Sequence, residues 1–113
     1  AAAYVCQNNE GQINDTKSIS AGLDYPGVSP IHCFLKYAKR ARYTSATDEE
    51  TLSAYKIVTK LEKINPSLEP SHAFAEAIKI AHKLSKDTII IVNSCGDAKK
   101  DRDILKARLG KIK

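Results

Sequence analysis

Apolar residues recur at intervals of three or four over much of the chain, which is the spacing of amphipathic α-helices. One such stripe, between Thr47 and Pro66, consists of Ala54, Ile57, Val58, Leu61 and Ile64. Another consists of Phe74, Ala77, Ile78, Ala81 and Leu84. Shorter stripes occur within residues 31–39 and 101–109. The pattern therefore predicts four helices.

Capping residues mark several ends of these helices. Thr47 and Glu50 have the spacing of a capping box, in which each side chain bonds the backbone N–H of the other residue. We predict that Pro66 stops the helix that begins there. Ser71 is the predicted N-cap of the next helix, and Gly110 follows the last helix where a C-cap glycine belongs.

Three segments are rich in strand-forming residues instead, namely residues 4–7, 42–46 and 88–92. The last of them is continuously apolar from Ile89 to Val92. Continuous apolarity is typical of a strand that is covered on both faces, as in a parallel sheet. Helices that alternate with such strands favour a layered arrangement with right-handed crossovers.

These elements predict an α/β fold, a fragment of a three-layer and mainly parallel sheet. We expect residues 1–113 to form a single α/β segment. Its first 30 residues would be a strand and a Gly/Pro loop, and residues 31–113 would run helix, strand, helix, strand, helix.

The composition limits the class of protein. A chain of 113 residues with 42% hydrophobic and 27% charged residues is one domain or less with an ordinary globular balance. No apolar run approaches the roughly 20 residues of a membrane helix. The start, AAAYVC, lacks the regions of a signal peptide and looks like a strand entered midway. We expect no membrane partner.

The cysteines, histidines and charged residues further limit the compartment, the metal sites and the partners that the sequence favours. The three cysteines are widely spaced without a Cys-x-x-Cys pair, which favours a reducing cytoplasm over a disulfide framework or a zinc site. The three histidines are scattered too, so we expect no metal held by side chains. The net charge of +5 is mild and spread out, which is typical of solvated helix faces and indicates no nucleic-acid partner.

The stretch SISAGLDYPGV at residues 18–28 has neither a helical nor a strand period. It combines two glycines, Pro26 and one carboxylate, Asp24, so it is either a surface turn or a loop that fixes backbone groups in place. The loops 93–96 and 67–71 follow extended segments, and ligands in open α/β sheets bind beyond strand ends. These loops are candidate walls of a site.

The loop motif is followed by SPIHCFL at residues 29–35, and further motifs lie in order along the chain. They are GQI (11–13), RYTSATDEE (42–50), NPSLEPSHAFAEAIKIA (65–81), IIIVN (89–93) and DILKARLG (103–110). Together they resemble the C-terminal part of the tryptophan synthase beta chain, which belongs to the pyridoxal-phosphate enzymes of fold type II. The resemblance covers almost all of the chain.

This resemblance implies cofactor contacts. Cys95 matches the family serine whose hydroxyl meets the pyridine nitrogen of the cofactor, and a thiol is a weaker donor. Ser94 could substitute for it only after a local shift of the loop, and a small buried filler is the plainer interpretation of Cys95. Gly22 and Gly96 match positions where backbone packs against the cofactor.

The resemblance also implies two catalytic carboxylates. Glu69 matches the acid beside the cofactor ring that assists indole, although it would also suit the first turn of a helix. Asp24 matches the acid that closes the site over substrate, although it could instead turn the loop. The main-chain carbonyls of Tyr25 and Gly27 match a monovalent-cation site.

The implied activity is that of a lyase of tryptophan biosynthesis, in which L-serine and indole give L-tryptophan. An alpha chain that delivers indole and a second beta chain are the implied partners. The family's Schiff-base lysine and glycine-rich phosphate cradle come from upstream segments, so we expect these 113 residues to be inactive by themselves. The alternative is a non-catalytic remnant that acts as a binding or interaction module. A sheet fragment exposes apolar faces, so a homo-oligomer is also expected.

Overall fold

Four α-helices provide most of the regular structure of residues 2–110, which are the residues that the computed structural model describes. These helices are α1 (Pro30–Tyr37), α2 (Asp48–Glu62), α3 (Leu68–Ala81) and α4 (Arg102–Leu109). Two 3₁₀ turns lie at Ala21–Leu23 and Ala98–Asp101. The chain divides into two compact units, Ala1–Thr44 and Ser45–Lys113, and each is described separately below.

Extended segments of the first unit pair only at isolated positions. Val5 forms an antiparallel bridge with Gly27, and Gln7 forms one with Ile13. A turn follows Gln7, in which the Asn8 carboxamide oxygen accepts from the N–H groups of Glu10 and Gln12. The predicted strand 4–7 is wrong, because single bridges do not extend into a ladder here.

Helix α1 begins with local capping. The Ser29 hydroxyl accepts from the N–H of Ile31 at 3.3 Å, and Pro30 occupies the first helical position, where no N–H donor is needed. The predicted helix is thus confirmed to within two residues. Its buried position is Cys33, whose sulfur accepts from the N–H of Tyr4 at 3.1 Å, whereas Ile31 and Phe34 are exposed.

The second unit is built on the packing of α2 against α3. The predicted capping box is confirmed, since the Thr47 hydroxyl accepts from the N–H of Glu50 and the Glu50 carboxylate accepts from the N–H of Thr47. The buried face of α2 consists of Thr51, Ala54, Tyr55 and Val58. Helix α2 ends at Glu62, with Lys63 in the left-handed conformation at φ 59°.

Helix α3 starts earlier than its sequence predicts. Its N-cap is Ser67, and Ser71 lies within the helix with its hydroxyl donating to the Ser67 carbonyl at 2.7 Å. The prediction of Ser71 as N-cap was therefore wrong. Pro70 is compatible with the longer helix because N–H groups of the first turn have no intrahelical acceptor. Burial is strongest at Leu68, Pro70, Ser71 and Ala75, and Leu84 lies beyond the helix.

The segments predicted as strands 42–46 and 88–92 are not strands. Ile89 and Ile91 are 86% and 92% exposed, so the face that these two residues share is not covered. Between residues 2 and 110 the only β-bridges outside strands are the two above and one between Pro66 and Asp97. The predicted mainly parallel three-layer sheet is therefore wrong for the described residues, because the extended segments find no strands to pair with.

The last helix is confirmed to within one residue. The Ala98–Asp101 turn leads into α4, whose Leu105 is 1% exposed. Gly110 caps the helix with a positive φ of 72°, and its N–H donates to the Lys106 carbonyl at 2.9 Å. Across residues 2–110, no helix combines the length and the apolarity that crossing a bilayer requires.

Candidate functional site

Two of the loops predicted to carry site residues are joined within the second unit. Pro66 and Asp97 form an antiparallel bridge, and the N–H of Ala98 donates to the Asn65 carbonyl at 3.2 Å. The Ser67 hydroxyl donates to the Cys95 carbonyl at 3.1 Å. The segment before α3 therefore fixes the backbone that follows the apolar stretch 89–92.

Gly96 is required by this junction for two reasons. Its φ of +80° lies in the left-handed region, where a side chain is strained. A Cβ at this position would also lie 2.9 Å from the hydroxyl oxygen of Ser67, which is itself 1% exposed. The close packing at Gly96 is thus with Ser67 in this structure, and the predicted contact of Gly96 with a cofactor stays a prediction.

Cys95 presents its side chain to solvent while its carbonyl is held by Ser67. The interpretation of Cys95 as a small buried filler was therefore wrong. An exposed thiol on a fixed backbone is a weak hydrogen-bond donor that a ligand can reach.

Glu69 lies in the first turn of α3 and forms an ion pair with Lys100. The Lys100 ammonium lies 2.8 Å from one carboxylate oxygen of Glu69 and 3.0 Å from the other. The Glu69 side chain is 21% exposed and that of Lys100 is 48% exposed. The predicted placement of Glu69 in a first helical turn is confirmed, and it favours the ionised carboxylate.

Asp101 completes a closed arrangement that we call the Glu69–Lys100–Asp101 cluster. One Asp101 oxygen lies 2.8 Å from the Lys100 ammonium, and the other accepts from the N–H of Leu68 at 2.8 Å. The Asp101 side chain is only 4% exposed. Because Leu68 precedes Glu69 in the chain, the cluster ties the lysine to the start of α3 through a buried carboxylate.

The charges of the cluster affect Lys100. Partial burial lowers the pKa of Lys100, but its hydrogen bonds with Asp101 and Glu69 and their negative charges act in the opposite direction and prevail. The net result is a pKa of Lys100 above its usual value. The lysine therefore remains a cation at any physiological pH.

The remaining predicted site residues lie in the loop 18–28 of the first unit. Gly22 is in the Ala21–Leu23 turn, and Asp24 follows it with its N–H donating to the Ala21 carbonyl at 3.3 Å. The Asp24 side chain is exposed. Its predicted alternative role in shaping the loop is thus supported by its position at the end of this turn.

Tyr25 and Gly27 flank Pro26 in the same loop. The Pro26 carbonyl accepts from the N–H of Cys6 at 2.7 Å, and the N–H of Val28 donates to the Tyr4 carbonyl at 3.4 Å. These bonds of the Val5–Gly27 bridge leave the carbonyls of Tyr25 and Gly27 outside the pairing. Among residues 2–110, no group of three or more His, Cys, Asp or Glu is placed to hold a metal ion.

The first unit also holds a small cavity of about 210 Å³ that the sequence did not predict. His32 lies on its wall with its Nδ1 3.0 Å from the Tyr43 hydroxyl. Lys36 lies over the Tyr4 ring at 4.8 Å from its centre. The His32 ring and the Lys36 ammonium are thus both engaged with aromatic neighbours.

Sequence reasoning missed Ser67, Lys100 and Asp101. Ser67 stands in the same motif as Glu69 and could have been noticed as a second hydroxyl near the helix start. The Lys100–Glu69 contact joins residues 31 positions apart, and no periodicity or spacing predicts such a pair. Its only sequence signal is opposite charge, which occurs at many other positions.

Comparison with known proteins places the chain. It is 50% identical over 107 residues to a protein of Bordetella petrii described as "Tryptophan synthase beta chain". The aligned region covers 95% of this chain and 27% of that protein. Proteins with the same description are 49% identical over 107 residues in Bordetella parapertussis and 51% identical over 98 residues in Allorhizobium ampelinum. No family model matches the chain.

The chain thus spans about a quarter of the length of these curated relatives, 27% and 24% of the Bordetella petrii and Allorhizobium ampelinum proteins. Half of the aligned residues are identical over nearly its whole length. By this similarity the chain is a homologue of the C-terminal portion of the tryptophan synthase beta chains.

Proposed function

We propose that this chain supplies the C-terminal part of the active site of a tryptophan synthase beta-type enzyme, which joins L-serine and indole to give L-tryptophan. The observation that carries the proposal is the junction of residues 65–69 with residues 95–98, because it holds Glu69, Cys95 and Gly96 on one fixed piece of backbone. The names of the homologues support the same reaction.

Pyridoxal phosphate is the proposed cofactor, and the residues of the junction fit one edge of its ring. Gly96 offers bare backbone, and the exposed Cys95 thiol offers a weak donor to a ring nitrogen. When bound, this cofactor acts as an electron sink for the amino-acid substrate. Gly22 of the first unit is the third proposed cofactor contact.

Glu69 is the proposed catalytic carboxylate for the indole half of the reaction. Ionised at the start of α3 and paired with Lys100, it can accept the hydrogen bond of the indole N–H and share its charge as indole attacks. Asp24 is the proposed acid that closes the site over substrate, a role that its exposed position leaves open to it. The carbonyls of Tyr25 and Gly27 are the proposed ligands of a monovalent cation.

The proposal further includes an alpha chain and a second beta chain as partners, in the cytoplasm. The names of the relatives support a beta chain in an assembly with other chains. In that assembly residues 1–113 would act as one segment of a longer chain.

A chimera tests the proposed function directly. The matched segment of the Bordetella petrii relative is replaced with this chain, and tryptophan formation from L-serine and indole is measured. We expect activity in the chimera and none with the 113 residues alone. Glu69→Gln should lower the rate by about 10²-fold or more, because general acid–base groups contribute at least that much. Glu62→Gln, an exposed glutamate at the end of α2, is the matched control.

The same experiment distinguishes the enzymatic proposal from the second candidate function, a non-catalytic interaction module. The observation that favours it is Cys95, a weaker donor where the family has serine. We expect Cys95→Ser to raise the activity of the chimera. A folded chimera that stays inactive, with and without Cys95→Ser, would contradict the enzymatic proposal and support the module.

A further inference from the structure

Lys100 forms ion pairs with two different carboxylates, those of Glu69 and Asp101. Its ammonium reaches both oxygens of Glu69 and one oxygen of Asp101, all within 3.0 Å. The neighbouring Lys99 belongs to the same turn, and its ammonium has no ion-pair partner among residues 2–110. Of these two adjacent lysines in one turn, only Lys100 forms an ion pair with the candidate catalytic carboxylate, Glu69.

We propose that Lys100 is a positioning residue for Glu69, which holds the carboxylate in its ionised form and in one orientation. Its importance for catalysis rests on the proposed function, whereas the coupling of the two side chains does not. Lys100 would touch neither substrate nor cofactor, and would act only through Glu69.

The buried carboxylate of Asp101 gives Lys100 its fixed place. Asp101 is 4% exposed on its side chain and accepts the N–H of Leu68 with the oxygen that does not face the lysine. A lysine side chain free in solvent would lose rotamer entropy on pairing, which makes most exposed ion pairs weak. Here one end of the contact is already ordered by the fold, so less entropy remains to be lost.

Glu69 lies where a nearby cation stabilises its ionised carboxylate. Its side chain is only 21% exposed, and a partly desolvated carboxylate is stabilised in the charged form by a cation and by a helix N-terminus. Lys100 and Asp101 face Glu69 from the Ala98–Asp101 turn. One turn further along α3, the Nδ1 of His72 lies 2.7 Å from the Leu68 carbonyl oxygen, to which it can only donate. Lys100 is a cation that contacts both oxygens of this carboxylate.

A titration of the 113-residue chain tests the coupling without any activity. Carbon-13 NMR of side-chain carboxyl groups gives the pH midpoint at which Glu69 is protonated, with the signal assigned by its loss in Glu69→Gln. We expect Lys100→Met to move this midpoint about one pH unit higher, since an opposite charge at this distance favours the ionised form by at least that much. Lys100→Arg should restore it to near the wild-type value, and Lys99→Met should leave it unchanged.

The reciprocal measurement guards against a variant that folds poorly. In the otherwise unchanged chain, Glu69→Gln should lower the pH midpoint at which the Lys100 ammonium loses its proton, because the coupling acts equally on both partners. A folded Lys100→Met chain with an unmoved Glu69 midpoint would overturn the proposal. So would an unmoved Lys100 midpoint in Glu69→Gln.

The chimera then shows whether the coupling serves the reaction. We expect Lys100→Met to shift the acid limb of the pH–rate profile to higher pH, and to lower kcat more than it changes KM. Lys100→Arg should recover most of the loss. An acid limb that stays in place would overturn the positioning role even if the two side chains are coupled. A chimera that is inactive with wild-type Lys100 would count against the proposed function alone, because the titration of the chain has by then decided the coupling.

Discussion

Helix α2 and the segment 88–92 both carry apolar patterns that predict burial, yet the second unit buries one face of α2 and exposes Ile89 and Ile91. Ala54, Tyr55 and Val58 of α2 are at most 7% exposed, whereas Ile91 is 92% exposed. A helix satisfies its own backbone hydrogen bonds and needs only one neighbour to cover its apolar stripe. An extended segment also needs a second strand, so an apolar pattern alone does not place it in a core.

Among buried and exposed apolar residues, the largest effect of a substitution on the free energy of unfolding is expected at Leu68, which is 0% exposed. Leu68→Ala should lower the free energy of unfolding by about 2–5 kcal/mol, because it leaves a cavity in close-packed surroundings. Leu61→Ala is the matched control, since Leu61 is 67% exposed on α2 and should lose no more than about 0.5 kcal/mol. Urea unfolding followed by circular dichroism measures both. Equal losses would show that the α2–α3 packing is not the core.

The next largest effect on the free energy of unfolding is expected at the start of α2. Thr47→Ala removes the hydroxyl that accepts from the N–H of Glu50, and should lower the free energy of unfolding by about 1 kcal/mol. Ser45→Ala, two residues earlier and outside the helix, should cost less than half as much. If the two variants unfold at the same urea concentration, the capping box contributes nothing to the stability of the helix pair.

The pH dependence of stability tests the link between α2 and α3. The hydrogen bond from Lys79 and the backbone bond from Thr47 lower the pKa of Glu50 below its usual value, and they outweigh the opposing effect of desolvation. A carboxyl whose pKa is lower in the folded chain contributes stability above its unfolded pKa and loses it as the pH falls through the folded value. The contribution should therefore fade below about pH 4.3.

Glu50→Gln is the variant that shows this contribution. It should be less stable than the wild type at pH 7, and the difference should shrink as the pH falls to about 2.5. Glu49→Gln alters a neighbouring glutamate with no ion pair among residues 2–110, and its difference from the wild type should change less with pH. A gap for Glu50→Gln that is constant with pH would exclude the ion pair as its cause.

The sequence predicted the helices well because their signals are local. The capping box at Thr47 and the glycine after α4 each act within one turn, and both were confirmed. Ser71 was misplaced as a cap because the first turn of a helix tolerates Pro70, so α3 begins one turn earlier, after Ser67. The strands were wrong because pairing depends on partners, which a local pattern does not contain.

The candidate site was predictable only in its loops. The motif that carries Glu69 and the one that carries Cys95 could be found from the sequence, and the structure joins them through Ser67. The cluster that fixes Glu69 was not predictable, because it depends on a turn that places Lys100 and Asp101 beside the start of α3. Such contacts depend on tertiary packing rather than on spacing along the chain.

The smallest effect on stability, and the sharpest test of the exposed segment, is expected at Ile91. Ile91→Lys should change the free energy of unfolding by less than about 0.5 kcal/mol, because the side chain is 92% exposed and has little packing to lose. An unpaired apolar segment also offers free N–H and C=O groups to another chain, and a charge on such an edge blocks pairing. Sedimentation at increasing concentration should therefore show less self-association in Ile91→Lys than in the wild type. Lys86→Gln, near the start of the segment, should not reduce association. A loss of several kcal/mol in Ile91→Lys would mean that the segment is buried after all, and that the contrast with α2 does not hold in solution.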